Sequence, residues 1–180
     1  MKKVVVFLAE GFEEIEAITI IDTLRRAEIG VTTVSVTGNK TVKGAHNIPV
    51  VADELFEDVN YSEYDMIALP GGMPGAKHLN EHEGVKEQLK TFAEDKHIGA
   101  ICAAPMVLGG MGLLKGKRAT CFPGFEPELI EATVTKEPVT VDGNIVTGKG
   151  PAFAISFSLQ LIETLLGKAA RDEISNGLLV

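Results

Sequence analysis

Cysteine is scarce in this sequence: Cys102 and Cys121 are the only two in 180 residues. Two cysteines make neither a disulfide framework nor a zinc-ligand pattern. Positive charge is also short, with 17 Lys and Arg against 25 Asp and Glu for a net charge of −8. With no Lys/Arg cluster, nucleic acid and anionic membrane surfaces are poor candidates as partners. No apolar stretch approaches the roughly 20 residues of a membrane span. The opening run Val4–Leu8 is too short for the apolar region of a signal peptide. A reducing cytoplasm is therefore the expected location, and it suits a free thiol. Neither G-x-G-x-x-G nor a Gly-Lys-Ser/Thr ending occurs, which removes the dinucleotide and phosphate-loop fingerprints. There is no repeat, low-complexity tract or linker, so residues 1–180 read as one domain with room for a substantial core.

What is present is ordinary globular sequence, 45% hydrophobic and 23% charged. Val4–Leu8 is a continuous, β-branched apolar run, the mark of a strand buried on both faces. Glu13–Glu28 follows with helical spacing and a stop at Gly30. Val31–Val36 reads as a strand, and Lys40–Asp53 as a small hairpin around Gly44, Asn47 and Pro49. Tyr64–Leu69 is the next buried strand, halted by Pro70-Gly71-Gly72. Val85–Asp95 is an amphipathic helix, His97–Ile101 a strand, and Ala103–Met111 a helix with Pro105 in its first turn. Later come short strands at Gly116–Phe122 and Ile145–Thr147, a helical turn at Glu126–Ala132 and β-type sequence over Val134–Val141. A long apolar helix at Ala152–Leu166 and a short polar finish at Ala169–Asn176 complete the chain. Strand and helix alternate, so the expected class is α/β, a mostly parallel sheet between helices.

In such sheets ligand chemistry gathers beyond the carboxyl ends of the strands. Three loops fall there: Ala9–Glu14, Pro70–Gly75 and the turn at Cys102. A side chain on a sharp strand-to-helix turn is exposed, with helix N–H groups aimed at it, and those dipoles favour a reactive thiolate. The plain alternative for Cys102 is a small buried hydrophobe. In the first loop, Glu10 and Glu13 are explained by the helix dipole. Glu16 lies one turn in, beside Ile15, Ala17 and Ile18. Facing the ligand end, it would be buried, its pKa raised, and able to donate a hydrogen bond to the thiolate and move protons. From spacing alone, a solvated helix face is the simpler account. Gly71-Gly72 permits close approach of backbone to ligand, with N–H groups for an oxyanion; alone, it is a plain tight turn.

The histidines do not complete a Cys-His pair. His97 stands five residues, about 16 Å, back along a strand from Cys102. His78 and His82 share i,i+4 spacing on a polar stretch with no third ligand nearby, so no metal site is expected. Cys121, beside Phe122 in a strand, is assigned to packing.

Taken together, Gly11-Phe12-Glu13-Glu14-Ile15-Glu16, Leu69-Pro70-Gly71-Gly72-x-x-Gly75-Ala76 and Ala100-Ile101-Cys102-Ala103-Ala104-Pro105 resemble the ThiJ/PfpI superfamily, most closely its Parkinson disease protein 7 branch. The resemblance covers essentially the whole chain, including Thr147-Gly148-Lys149-Gly150-Pro151. It implies a flavodoxin-like sheet sandwich, a homodimer, and no cofactor. By resemblance, Cys102 is the elbow nucleophile, easily oxidised to sulfinic acid, and Glu16 the protonated glutamate that hydrogen-bonds its sulfur. Gly71, Gly72 and Ala103 form the backbone pocket, lined by Glu14, His46, Met73, Phe122 and Pro151. Ala103 stands where the protease-like branch has histidine, which disfavours peptidase activity. Phe122 replaces a histidine before Pro123, and His46 an arginine near the pocket mouth, so polar groups of that branch are missing.

The activity this implies is cofactor-independent conversion of small 2-oxoaldehydes such as methylglyoxal, or of their glycated adducts, to 2-hydroxy acids. The alternative is a redox-sensing stress protein or chaperone in which Cys102 is the sensor.

Overall fold

The computed structural model describes residues 1–180. In chain order it contains β1 (Lys3–Leu8), α1 (Glu14–Arg26), β2 (Gly30–Ser35), β3 (Thr41–Lys43), β4 (Pro49–Val51), β5 (Glu54–Leu55) and β6 (Met66–Leu69). There follow α2 (Gly75–Glu81), α3 (Glu83–Asp95), β7 (His97–Ile101), α4 (Pro105–Gly110), β8 (Arg118–Ala119), β9 (Thr133–Val134), β10 (Val139–Asp142), β11 (Ile145–Gly148), α5 (Ala154–Leu166) and α6 (Lys168–Leu178). Seven strands form one sheet in the order β10-β11-β7-β6-β1-β2-β5. All neighbours pair in parallel except the β10–β11 hairpin.

The burial of β1 explains the architecture. Val4, Val6 and Leu8 enter one core with residues of α1 and α5, while Val5 and Phe7 enter the other with residues of α2, α3 and α4. A strand with no solvent-facing side needs helices on both faces, and alternating βα units supply them. The flavodoxin-like α/β expectation agrees with this arrangement.

Local differences have local causes. The first helix ends at Arg26 rather than Glu28, because Glu28 adopts a left-handed φ of 57° and Gly30 begins β2. Helix α2 is absent from the sequence reading; its seven residues bury only Gly75, Ala76 and Leu79, too few for a periodic signal. The expected strand Gly116–Phe122 shrinks to Arg118–Ala119, paired with β9 outside the main sheet. The Thr120 N–H donates instead to the Thr147 hydroxyl, and that of Phe122 to the Cys102 carbonyl. The β-type stretch at Val134–Val141 is split where Lys136 takes φ 60°. The expected helix at Ala103–Met111 is only Pro105–Gly110.

Strand order reverses between β1 and β6. The chain leaves β1 for β2 on one side, then returns to build β6, β7 and β11 on the other. Loops after the two central strands diverge and leave a crevice at such a switch point.

Candidate active site

Three loop segments meet at that crevice: Ala9–Glu13 after β1, Pro70–Pro74 after β6, and Cys102 after β7. They are stitched by backbone bonds. Glu13 N–H donates to Gly71 O at 2.9 Å, and Gly75 N–H to Gly11 O at 3.2 Å. Cys102 adopts φ 65°, a left-handed conformation that costs a non-glycine residue about 1–3 kcal/mol. Two bonds hold it there: its N–H donates to Gly148 O at 2.9 Å, and its carbonyl accepts from Phe122 N–H at 2.8 Å.

Glu16 comes from the first turn of α1 and is fully buried. Its Oε2 accepts the Gly71 N–H at 2.7 Å, while Oε1 is buried with no hydrogen-bond partner. Burial pushes this carboxyl up to about 7, opposed by interactions with the Cys102 thiol and the Gly71 N–H. The helix face bearing Glu16 is therefore not the solvated one that spacing favours.

The thiol differs from the sequence expectation. Burial pushes Cys102 up to about 12; the adjacent Glu16 charge and hydrogen bond push the same way, against N–H groups of Gly72 and Ala103. The residue is only 7% exposed, and helix α4 starts three positions later and is short, so its dipole gives little help. The two acids form one unit. Burial raises both, and the singly charged pair has two arrangements: carboxylate beside thiol, or carboxylic acid beside thiolate. In the second, the Gly72 and Ala103 N–H groups stabilise sulfur, and Glu16 becomes a donor.

Of the expected backbone pocket of Gly71, Gly72 and Ala103, the Gly71 N–H is committed to Glu16, which leaves those of Gly72 and Ala103 as the donors at the sulfur. Gly71 has a second role. A Cβ there would lie 2.6 Å from Cys102 Cβ and 2.8 Å from Glu16 Oε2. Gly71→Ala is expected to cost about 1–3 kcal/mol through overpacking and to change the rate of Cys102 alkylation. Urea unfolding and thiol labelling check both.

The remaining residues divide. Glu14 is buried, and its carboxylate accepts His46 N–H at 2.7 Å, the His46 Nδ1 bond at 2.9 Å and Ile48 N–H at 3.4 Å. Burial pushes Glu14 up, but these donors outweigh it and hold the group low. The Glu14 bond raises exposed His46 in turn, with the charge of Glu13 adding to it. Oxygens of Glu13 and Glu14 and a His46 nitrogen lie within 4.8 Å of one another; with Glu14 filled by three donors, an ion pair accounts for them. Met73 is exposed, and Phe122 and Pro151 line one cleft together. His78 bonds Glu10 O, and His82 caps α3 by accepting Val85 N–H.

Gly148 escapes the sequence reading as a site residue, although it anchors Cys102. Its signal is steric: a Cβ there would meet Ile101 Cγ1 and Phe157 Cδ2 at 2.8 Å. Cys121 is buried, with its thiol pushed up to about 11 by burial and by the Glu126 charge.

An open α/β sheet with a strained cysteine elbow and a buried glutamate at its switch point defines a class. Residues 2–164 match the DJ-1/PfpI family, and the chain belongs to it. It is 41% identical over 182 residues to protein DJ-1 homolog B of Arabidopsis thaliana, covering 99% of this chain and 42% of that protein. For the A homologue of the same plant the covered share is 47%, so the chain spans less than half of either relative. A solved structure of oxidized Toxoplasma gondii DJ-1 superposes with a TM-score of 0.95 at 41% identity, over 99% of this chain and 98% of that one. A protein of Pyrococcus abyssi named as a deglycase is 32% identical, covering 91% of this chain and 99% of its own.

Proposed function

We propose that residues 1–180 form a single catalytic domain that converts small 2-oxoaldehydes such as methylglyoxal, free or as glycated adducts, to 2-hydroxy acids. The observation that carries this reading is the Glu16–Cys102 pair: a buried carboxyl raised to about 7 against a thiol on a strained elbow. In its acid–thiolate arrangement, sulfur attacks the aldehyde carbon and the carbonyl π electrons move to oxygen. N–H groups of Gly72 and Ala103 stabilise that alkoxide, and Glu16 protonates it to a hemithioacetal. The Glu16 carboxylate then takes the C1 proton and returns one at C2 through an enediol. This leaves a thioester, oxidised at C1 and reduced at C2. Water releases the 2-hydroxy acid and restores the thiol. Both electrons stay within the substrate, so the cycle needs neither metal nor redox cofactor. Adduct hydrolysis is the same chemistry with the aldehyde presented by an amine or thiol, a reading favoured by the relative named as a deglycase. The test is lactate formation from methylglyoxal by wild type beside Cys102→Ser.

A second reading, redox sensing, rests on the same pocket: the donors Gly72 N–H, Ala103 N–H and protonated Glu16 would also hold the oxygens of a Cys102 sulfinate. A sensor gains mass at Cys102 at sub-stoichiometric peroxide and turns over no aldehyde.

The proposal includes a second copy of the chain as partner. Glu14 ties the β3–β4 hairpin to α1, and around this joint Ile15, Ile18, Ile48 and Val51 are 46–70% exposed. Exposed apolar side chains clustered this way suit a self-complementary two-fold contact. Wild type is expected to sediment as a dimer and Ile18→Asp as a monomer; a monomeric wild type rejects the contact. No helix is long and apolar enough to cross a membrane. The proposed setting is the cytoplasm, where two unpaired cysteines persist.

A further inference from the structure

A cleft of ≈ 220 Å³ is lined by Phe122, Pro123, Gly150, Pro151, Ala152 and Phe153, with Lys149 contributing the one ionisable side chain. Both of its walls are fastened to the backbone of Cys102. The Phe122 N–H donates to the Cys102 carbonyl, and the Cys102 N–H donates to the carbonyl of Gly148, two residues before Gly150. The walls also approach each other: a Cβ on Gly150 would lie 3.1 Å from Phe122 Cδ2. Phe122 is 42% exposed although its backbone N–H is bonded to Cys102. An exposed ring whose backbone is bonded to that of Cys102 offers an apolar surface at the edge of the site. A dry cavity of about 150 Å³ already accepts a benzene-sized group.

We propose that this cleft is a specificity subsite for the group attached to the ketone carbon of the substrate. The preferred class is therefore 2-oxoaldehydes carrying an aromatic or branched aliphatic group, rather than the methyl of methylglyoxal. This inference rests on the reading of Cys102 as the nucleophile toward 2-oxoaldehydes. The bond-making steps are unchanged; only the substituent on C2, three bonds from the sulfur, differs. An apolar pocket discriminates by about 10–200-fold per methylene it accommodates, so a phenyl group in place of methyl has room for a large effect.

The experiment compares kcat/KM for phenylglyoxal and methylglyoxal in wild type, Phe122→Ala and Phe153→Ala. Taking the ratio of the two substrates and then comparing variants cancels their different intrinsic reactivity. The wild-type ratio is expected to exceed that of Phe122→Ala by about tenfold or more. An equal ratio in wild type and both variants overturns the subsite and leaves the catalytic reading standing. If neither aldehyde is turned over, that reading fails, and the cleft is judged on product analogues by calorimetry. Tighter binding of mandelate than of lactate, lost in Phe122→Ala, supports it; equal binding overturns it. Phenylglyoxal turnover that appears only on dilution overturns it too, because a second copy of the chain then fills the cleft.

Discussion

Cys102→Ser is expected to lower kcat/KM for lactate formation from methylglyoxal by about 10³-fold or more, the scale on which enzymes lose rate when a nucleophile coupled to its proton acceptor is removed. The serine oxygen keeps the shape of the elbow and the bonds to Gly148 and Phe122, which are made by backbone. What it loses is acidity: a hydroxyl has no accessible anion for Glu16 and the Gly72 and Ala103 N–H groups to stabilise. The thermal midpoint should stay near that of wild type, separating lost chemistry from lost fold. The same variant should lose the peroxide-dependent gain of two oxygens in its mass spectrum. Lactate formation that persists in Cys102→Ser rejects the mechanism outright.

Glu16→Gln is expected to make the protein more stable and less active, by amounts that depend on pH. The carboxyl is raised from 4.5 to about 7 in the folded protein. Below 4.5 both folded and unfolded chains hold the proton, and the residue costs nothing. Between 4.5 and about 7 the unfolded chain releases it first, so stability falls as pH rises, and above that window the loss is constant. Its ceiling is about 3 kcal/mol, from about 1.36 kcal/mol per pKa unit. Glutamine can still accept the Gly71 N–H but has no proton to lose. Urea unfolding at about pH 4 and about pH 8 should therefore show a gap between variant and wild type that opens toward alkaline pH; a gap independent of pH contradicts the assignment. Turnover should drop by about 10²–10⁴-fold, the usual contribution of a positioned acid–base group.

The sequence reveals elements whose burial is written into a continuous run or a strong period. Val4–Leu8 is apolar at every position because both its faces are covered, and α1 shows helical spacing through Ile15, Ile18, Ile21 and Leu24, of which Ile21 and Leu24 are buried and Ile15 and Ile18 exposed. Cys102 is readable because a strand, a turn and a proline follow one another in a fixed order. Three features are hidden for physical reasons. Helix α2 buries too little to pattern its sequence. The strand at Gly116–Phe122 loses its pairing to a threonine hydroxyl and to Cys102, both distant in the chain. The direction of the thiol's shift depends on how deeply sulfur and carboxyl are buried together, and no spacing rule carries that depth. Gly71 teaches the same lesson, since only the fold shows its N–H already bonded.

The two cores on opposite faces of the sheet have a chemical consequence. Cys102 packs with the side that holds α1 and α5, and Cys121 with the side that holds α3 and α4. A sulfenic acid formed on Cys102 would thus belong to a different packed cluster from Cys121, the other thiol of the chain. Capping by a small soluble thiol would be reversible, whereas a second oxidant equivalent gives a product that no thiol reduces back.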